Sequence, residues 1–371
     1  MGNGCTSKIF GWIKLRQTLL LFSLFIATVS VLHKSYSQSG LNQMDKDSAG
    51  TIFDGEKLLH LKFSYQRTDI IEHTNDSTYI DAELSYLDTQ ERWQKLPVEA
   101  RIRGGFRRTN CYYSPVKLKI DPSKSEGTIF EGNKKFKLVF PCLNSRRSND
   151  NLIEEYMAYK IYEVLSDYHF KTRLFDAEFF EKDKKDKNGK TETRIKGFFI
   201  QDDERFADEH NGKEINRFTD HKAQDAKSSV ACALFQYMIG NTDFSTVYLH
   251  NTKLFYIDKK YVPVPYDFDM SGLVNASYAV VSNIQNETLP IDNVTSRLYR
   301  GFLADDNIVQ QVREEFLDKK KDVFKSIDSL KKYFLYPKDF ERSRDYVSDF
   351  YETLADDKKF KRRITNIARS K

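Results

Sequence analysis

Three stretches in the first half of the chain alternate apolar and charged residues with a period of two. Residues 95–102 read KLPVEARI, with Val98, Ala100 and Ile102 on one side and Glu99 and Arg101 on the other. Residues 115–120 (PVKLKI) put Val116, Leu118 and Ile120 on one face and Lys117 and Lys119 on the other. Residues 136–140 (FKLVF) repeat the pattern. A period of two sends successive side chains to opposite faces, so each stretch predicts a half-buried strand. Residues 58–63 and 79–87 are two further candidates, and Gly104-Gly105 punctuates the end of one strand. Residues 53–141 are therefore expected to be mostly β.

Helical spacing takes over next. From Ser148 onward, Leu152, Tyr156, Tyr159, Ile161 and Leu165 recur near one face, Asn149 or Asp150 offers a cap, and Glu154 and Glu155 sit in the early turns. Residues 172–182 and 194–200 read as strands around a charged, solvated tip. Residues 226–240 form an apolar helix ending at Gly240. Residues 254–257 and 261–264 make a β pair, with Pro263 and Pro265 indicating an edge or an extended exit. Residues 305–371 are charged and helical, with apolar repeats at Val312, Phe316, Val323 and Ile327. The expected class is α+β, a β-rich first lobe followed by a helical second lobe.

The N-terminus stands apart. Lys8, Lys14 and Arg16 precede an uncharged run from Thr18 to Leu32, and small polar residues follow. This is the pattern of a signal peptide over 1–37, with an uncleaved anchor or a buried helix as alternatives. A spanning helix needs about 20 apolar residues, and this run is shorter. The formal charge is +5, from 59 basic and 54 acidic residues. Without residues 1–37, which hold four basic residues and no acid, 55 basic residues face 54 acidic ones. That leaves no basic excess for nucleic acid. Of four cysteines, Cys5 would leave with the signal, Cys111 and Cys142 would be free to pair in an oxidising compartment, and Cys232 falls in the apolar helix.

Two short segments concentrate polar chemistry: NTDFSTVYLHN over 241–251 and YDFDMSG over 266–272. In an extended segment Asp267 and Asp269 would share one side while Phe268 anchors the loop in the core. Paired hard oxygen ligands suit Mg²⁺ or Mn²⁺ better than zinc. Asp243, Asn241, His250 and Asn251 would lie at the same end if the β pair folds back. Arg101, Arg103, Arg107, Arg108, Lys117 and Lys119 are basic residues able to meet phosphates, and Glu154 or Glu155 would hold a lysine in place. Each has a plainer reading. Asp243 is also an Asx-turn candidate, Glu155 an early-helix acid, Lys117 and Lys119 solvated strand residues, and His250 a hydrogen-bonded loop histidine.

The order R-x-R-G-G, K-x-K, E-Y-x-A-Y-K, G-N-T-D and P-Y-D-F-D, over residues 95–275, is similar to the spore-coat CotH family. It also looks like the wider set of atypical kinases that includes HipA, and most of all like exported proteins of Bacteroidetes. The resemblance implies a protein-kinase-like two-lobed fold that transfers phosphate from ATP to a protein or envelope-component substrate with Mg²⁺ or Mn²⁺. By resemblance, Asp243 is the catalytic aspartate, and Lys119, preferred over Lys117, is the phosphate-contacting lysine with Glu155 as its partner. Asp267 and Asp269 hold metal, with Asn251 assisting, and Arg103-Gly104-Gly105 covers the phosphates. Tyr248 stands where related kinases place a metal-binding asparagine, and the G-x-G-x-x-G loop is absent. An inactive kinase-like envelope scaffold and a metal-dependent phosphoesterase are the alternatives.

The expected layout is therefore a signal or anchor at 1–37, a polar leader at 38–52, a β-rich lobe at 53–202 and a helical lobe at 203–371. The chain is expected to be exported, periplasmic or secreted. It would meet a membrane only through its signal or anchor segment, residues 18–32.

Overall fold

The computed structural model describes residues 52–55, 57–182 and 190–370. The expectations for residues 1–37 and for most of the polar leader fall outside the described residues, as does most of the charged tip. Among the described residues no helix is long and apolar enough to cross a membrane.

The alternating stretches form strands. They are β1 (Leu59–Gln66), β2 (Ile80–Leu87), β3 (Trp93–Ile102), β4 (Val116–Ile120), β5 (Lys135–Val139), β6 (Thr172–Lys182) and β7 (Lys190–Gln201). They close into a barrel in the order β1-β2-β3-β4-β5-β7-β6. Closure comes from β1 lying parallel to β6, from Leu59 opposite Phe175 to Gln66 opposite Lys182. The expected kinase-like lobe is corrected here. A lobe of that kind is an open sheet, whereas these seven strands leave no free edge in the ring.

Phenylalanines fill the barrel. Phe63, Phe136, Phe140, Phe175, Phe179 and Phe199 are all buried, with ring centroids 5.0 Å apart for Phe175–Phe199 and 5.5 Å for Phe136–Phe199. Gly197 makes room for this filling. A Cβ there would fall 2.3 Å from the Phe175 ring and 2.7 Å from the Val139 carbonyl oxygen.

Three short helices sit in the barrel connections: α1 (Arg67–Glu72), α2 (Phe106–Asn110) and α3 (Pro122–Ser125). The long helix α4 (Arg146–Leu165) begins earlier than the polar run suggested, because Ser145 caps it by accepting from the Ser148 N–H. Asp150 is therefore inside the helix, and it is fully buried. α4 is covered on all faces, as a helix between two layers must be. On one side Tyr156 and Tyr159 each lie 5.4 Å from Phe198 of β7. On the other, Tyr159 meets Phe268 at 4.6 Å and Tyr162 meets Phe235 at 4.6 Å.

The remainder comprises α5 (Asp203–Glu209), β8 (Lys213–Glu214), α6 (Ala226–Met238), β9 (Thr252–Ile257), β10 (Lys260–Pro265) and four helices. Those helices are α7 (Asp306–Asp318), α8 (Lys320–Ser329), α9 (Pro337–Ala355) and α10 (Asp357–Arg363). β10, β9 and β8 form a small sheet with β10 at its edge, where its prolines are tolerated. The β9–β10 turn uses Asp258 and Lys259, both at positive φ, the backbone form that matches strand twist. Val312, Phe316, Val323 and Ile327 are buried in the helical bundle with α4 and α6. Cys111 and Cys142 are disulfide-bonded, tying the end of α2 to the segment before α4, and Cys232 is free and buried.

Candidate functional site

β3 continues past Ile102 through a hydrogen bond from the Arg103 N–H to the Pro115 carbonyl oxygen, 3.0 Å. Gly104 then takes φ +86, a left-handed value that favours glycine. The turn it makes starts α2, which faces Arg107 inward. This segment covers a cleft of about 150 Å³ between the barrel and the helical part, bordered by Asp243, His250, Asn251, Asp267 and Asp269.

Arg107 organises the cleft wall. Its Nη2 donates to Glu155 Oε2 at 2.6 Å and its Nε to Asp269 Oδ2 at 2.8 Å, and all three side chains are buried. Burial works against the charge on Arg107, but Asp269 and Glu155 outweigh it and hold the guanidinium protonated. Burial pushes Glu155 up to about 8, against the pull of Arg107. Asp267 is raised to about 6, first by burial and then by Asp269, with which it also shares a hydrogen bond. The Asp267 backbone is at φ 62, and its N–H donates to the Tyr159 hydroxyl at 2.9 Å. A non-glycine residue held there by a buried partner is the kind of strain found at functional positions. Phe268 is fully buried, as its place between two acids suggested, although the segment is a turn and not an extended strand.

Asp243 faces the cleft from the loop after α6. That helix ends in a Schellman motif with Gly240 at φ 63 and the Asn241 N–H donating to the Gln236 carbonyl oxygen. Asn241 makes the Asx turn, accepting from the Asp243 N–H at 2.9 Å. The Asp243 carboxylate is thereby left for other partners. It accepts from Ser282 Oγ at 3.0 Å and Asn251 Nδ2 at 2.9 Å, and pairs with His250 Nε2 at 3.1 Å. Burial opposes its ionisation, yet these hydrogen bonds hold its carboxyl below the usual range. The same bond raises His250.

The expected lysines lie elsewhere. Lys119 is half exposed on the barrel exterior and pairs with Glu99 at 2.6 Å. Lys117 pairs with Asp202 at 2.7 Å. Glu155 thus holds Arg107 in place of a lysine. Buried Lys137 pairs with Asp203, which also attracts Lys253 at 3.6 Å. Sequence reasoning missed Lys137, Asp203 and Ser282; Lys137 was hidden in the outward-facing positions of an alternating strand. Arg103 differs from the other cleft cations. Its Nε is buried, and its side chain makes no hydrogen bond or ion pair among the described residues. Asp267 is close enough to feel its charge.

Among the described residues no group of three or more His, Cys, Asp or Glu side chains is arranged to hold a metal ion. Arg107 takes the position between Asp269 and Glu155 that a cation would need, and Asn251 is bonded to Asp243. With the closed barrel, this corrects the metal-dependent kinase expectation and the two alternatives built on the same fold and acids. No protein-family model matches the chain, and no curated protein is significantly similar to it.

The raised carboxyls fix how stability depends on pH. Glu154 is also lifted to about 8, by burial and against the pull of Arg342. A carboxyl with a higher pKa in the folded than in the unfolded state binds more protons when folded. Its contribution is complete below the unfolded value and is lost as pH rises through the folded one. Urea-unfolding free energies should therefore fall between about pH 5 and 8, each such group contributing up to about 1.4 kcal/mol per pH unit. Glu155→Gln should flatten part of the slope. A profile that rises over this range would contradict the assignment.

Proposed function

We propose that the cleft binds a small anion, a phosphate or carboxylate group, and exchanges a proton with it. The observation that carries this is Arg103, whose buried Nε has no partner and which borders the cleft beside the strained, proton-accepting Asp267. Arginine suits such a group because its fork matches the oxygens of phosphate and carboxylate. The Gly104-Gly105 backbone permits close approach. A carboxyl near neutral pKa in a cleft is suited to acid–base work. At about 150 Å³ the space is below the ~300 Å³ of usual drug-sized pockets, so the bound part is an anionic group and not a whole large ligand. Export, an envelope partner and descent from the CotH-like set stand as proposals beside this one. The Cys111–Cys142 bond supports the first, since such bonds persist in oxidising compartments.

The test is calorimetric titration of the full-length protein with phosphate, pyrophosphate and ATP, with and without Mg²⁺ or Mn²⁺. Pyrophosphate is expected to bind without metal, and Arg103→Met to weaken it about tenfold or more. Repeating the titration in buffers of different ionisation enthalpy reads the linked proton, which Asp267→Asn should remove. Absence of binding by the folded chain, or equal affinity in the Arg103 variant, rejects the proposal.

A further inference from the structure

A second cavity lies on the far side of the Asp243 loop. It measures about 310 Å³, and its walls include Phe218, Tyr248, Phe302, Arg300 and Arg369. Phe218 and Tyr248 are well exposed and sit 5.8 Å apart, presenting two rings to solvent. Phe302 also lines the cavity. His221 stacks on it at 4.1 Å, nearly parallel, and the Arg369 guanidinium lies 4.2 Å from its ring centroid. The register is fixed by the backbone, since the Leu303 N–H donates to the Arg369 carbonyl oxygen and the Arg369 N–H to that of Gly301.

The charge at this wall is unbalanced. Arg300 is only 4% exposed. It donates to the Thr242 carbonyl oxygen at 2.8 Å and to Glu287 at 2.6 Å, but its Nε is buried and unpaired. Arg369 makes no side-chain hydrogen bond or ion pair among the described residues, and its Nε is also buried and unpaired. Glu287, itself nearly half exposed, pairs with Arg300 and also acts on Arg369, and Asp243 acts on Arg300 alone, so Arg369 is the less compensated of the two. Asp220 is turned to His221 at 3.4 Å and is mostly solvated. Like charges side by side in a low-dielectric wall are unfavourable unless an anion completes them.

We propose that this cavity is a second binding site, for a small aromatic carboxylic acid. Its ring lies against the exposed Phe218–Tyr248 pair, and its carboxylate sits on Arg369 and Arg300. Stacking and apolar walls hold the ring, while a guanidinium fork holds the carboxylate. The volume is that of a small-molecule site, larger than the first cleft, and its residues are separate from Arg103 and Asp267. The Thr242 carbonyl held by Arg300 belongs to the Asp243 loop, so the site lies against the back of the first cleft.

The experiment is calorimetric titration of the full-length protein with 3-phenylpropanoate, with 3-phenylpropanol as the uncharged control. The acid is expected to bind and the alcohol to bind about tenfold more weakly or not at all. Arg369→Gln should weaken the acid about tenfold, and Arg103→Met should leave it unchanged, which separates this site from the first. Should Arg369→Gln fail to fold, the exposed double variant Phe218→Ser/Tyr248→Ser reads the same site and should weaken binding severalfold. No binding by the folded protein, equal binding of the alcohol, or loss with Arg103→Met and not with these variants overturns the proposal.

Discussion

Replacing Arg107 with methionine is expected to lower the unfolding free energy at pH 7 by about 3–5 kcal/mol, the cost of removing one partner from a buried charge cluster. Methionine fills much of the volume, so the loss reports charge more than packing. Glu155 and Asp269 would remain in the wall without a donor, beside Asp267. Their available relief is protonation. Asp267 is lifted to about 6 by burial and Asp269 while Arg107 pulls it down, so without Arg107 it must rise further, into the range tested. The sign follows from the raised folded-state value: the variant binds extra protons when folded, so its deficit is smaller near pH 5 and grows toward pH 8. Urea denaturation at both ends of that range measures this. Lys119→Ala is the control, because its pair with Glu99 is solvent-exposed and screened and should matter little. An Arg107→Met loss no larger than that of the control, or one identical at both pH values, would reject the role assigned to this cluster.

The same residue shows why the site was only partly legible in the sequence. Arg107 stood among six basic residues near a glycine pair, with nothing local to separate it from Arg108. Its partners lie 48 and 162 residues away. A pair of aspartates flanking a phenylalanine announces a need for positive charge, but not whether a metal or a guanidinium meets it. The anchoring of Phe268 was readable, because an apolar residue between two acids has one side to go to. So was the end of α6 at Gly240, where left-handed backbone demands glycine. The strands were readable from alternation, which specifies which face is buried. Alternation does not name the neighbour across the ladder. The parallel pairing of β1 with β6, which turns an open sheet into a barrel, is therefore a property of packing and not of any one segment.

Asp150 carries the second large effect, and it too was misplaced by local reading. It looked like a cap for α4, but Ser145 does that work and Asp150 lies one turn inside, fully buried. A buried carboxylate in a helix interior requires donors from elsewhere. They are the backbone N–H groups of Leu335, 2.9 Å from Oδ1, and Tyr336, 2.8 Å from Oδ2. Tyr336 immediately precedes Pro337, the first residue of α9. Asp150 thus secures the entry of α9 from across the bundle, in the place of a local cap, since no side chain of α9 caps its own start. Asp150→Ala removes both acceptors and leaves two donors in the interface, so a loss of about 2–4 kcal/mol is expected. Asp150→Asn keeps one acceptor oxygen but aims an amide donor at the second N–H, and should recover only part of that loss. Hydrogen exchange at Leu335 and Tyr336 distinguishes the two readings of Asp150. Faster exchange confined to these amides and the first turn of α9 supports anchoring of that helix. Unchanged exchange there, with weakening spread along α4, would return Asp150 to an ordinary role within its own helix.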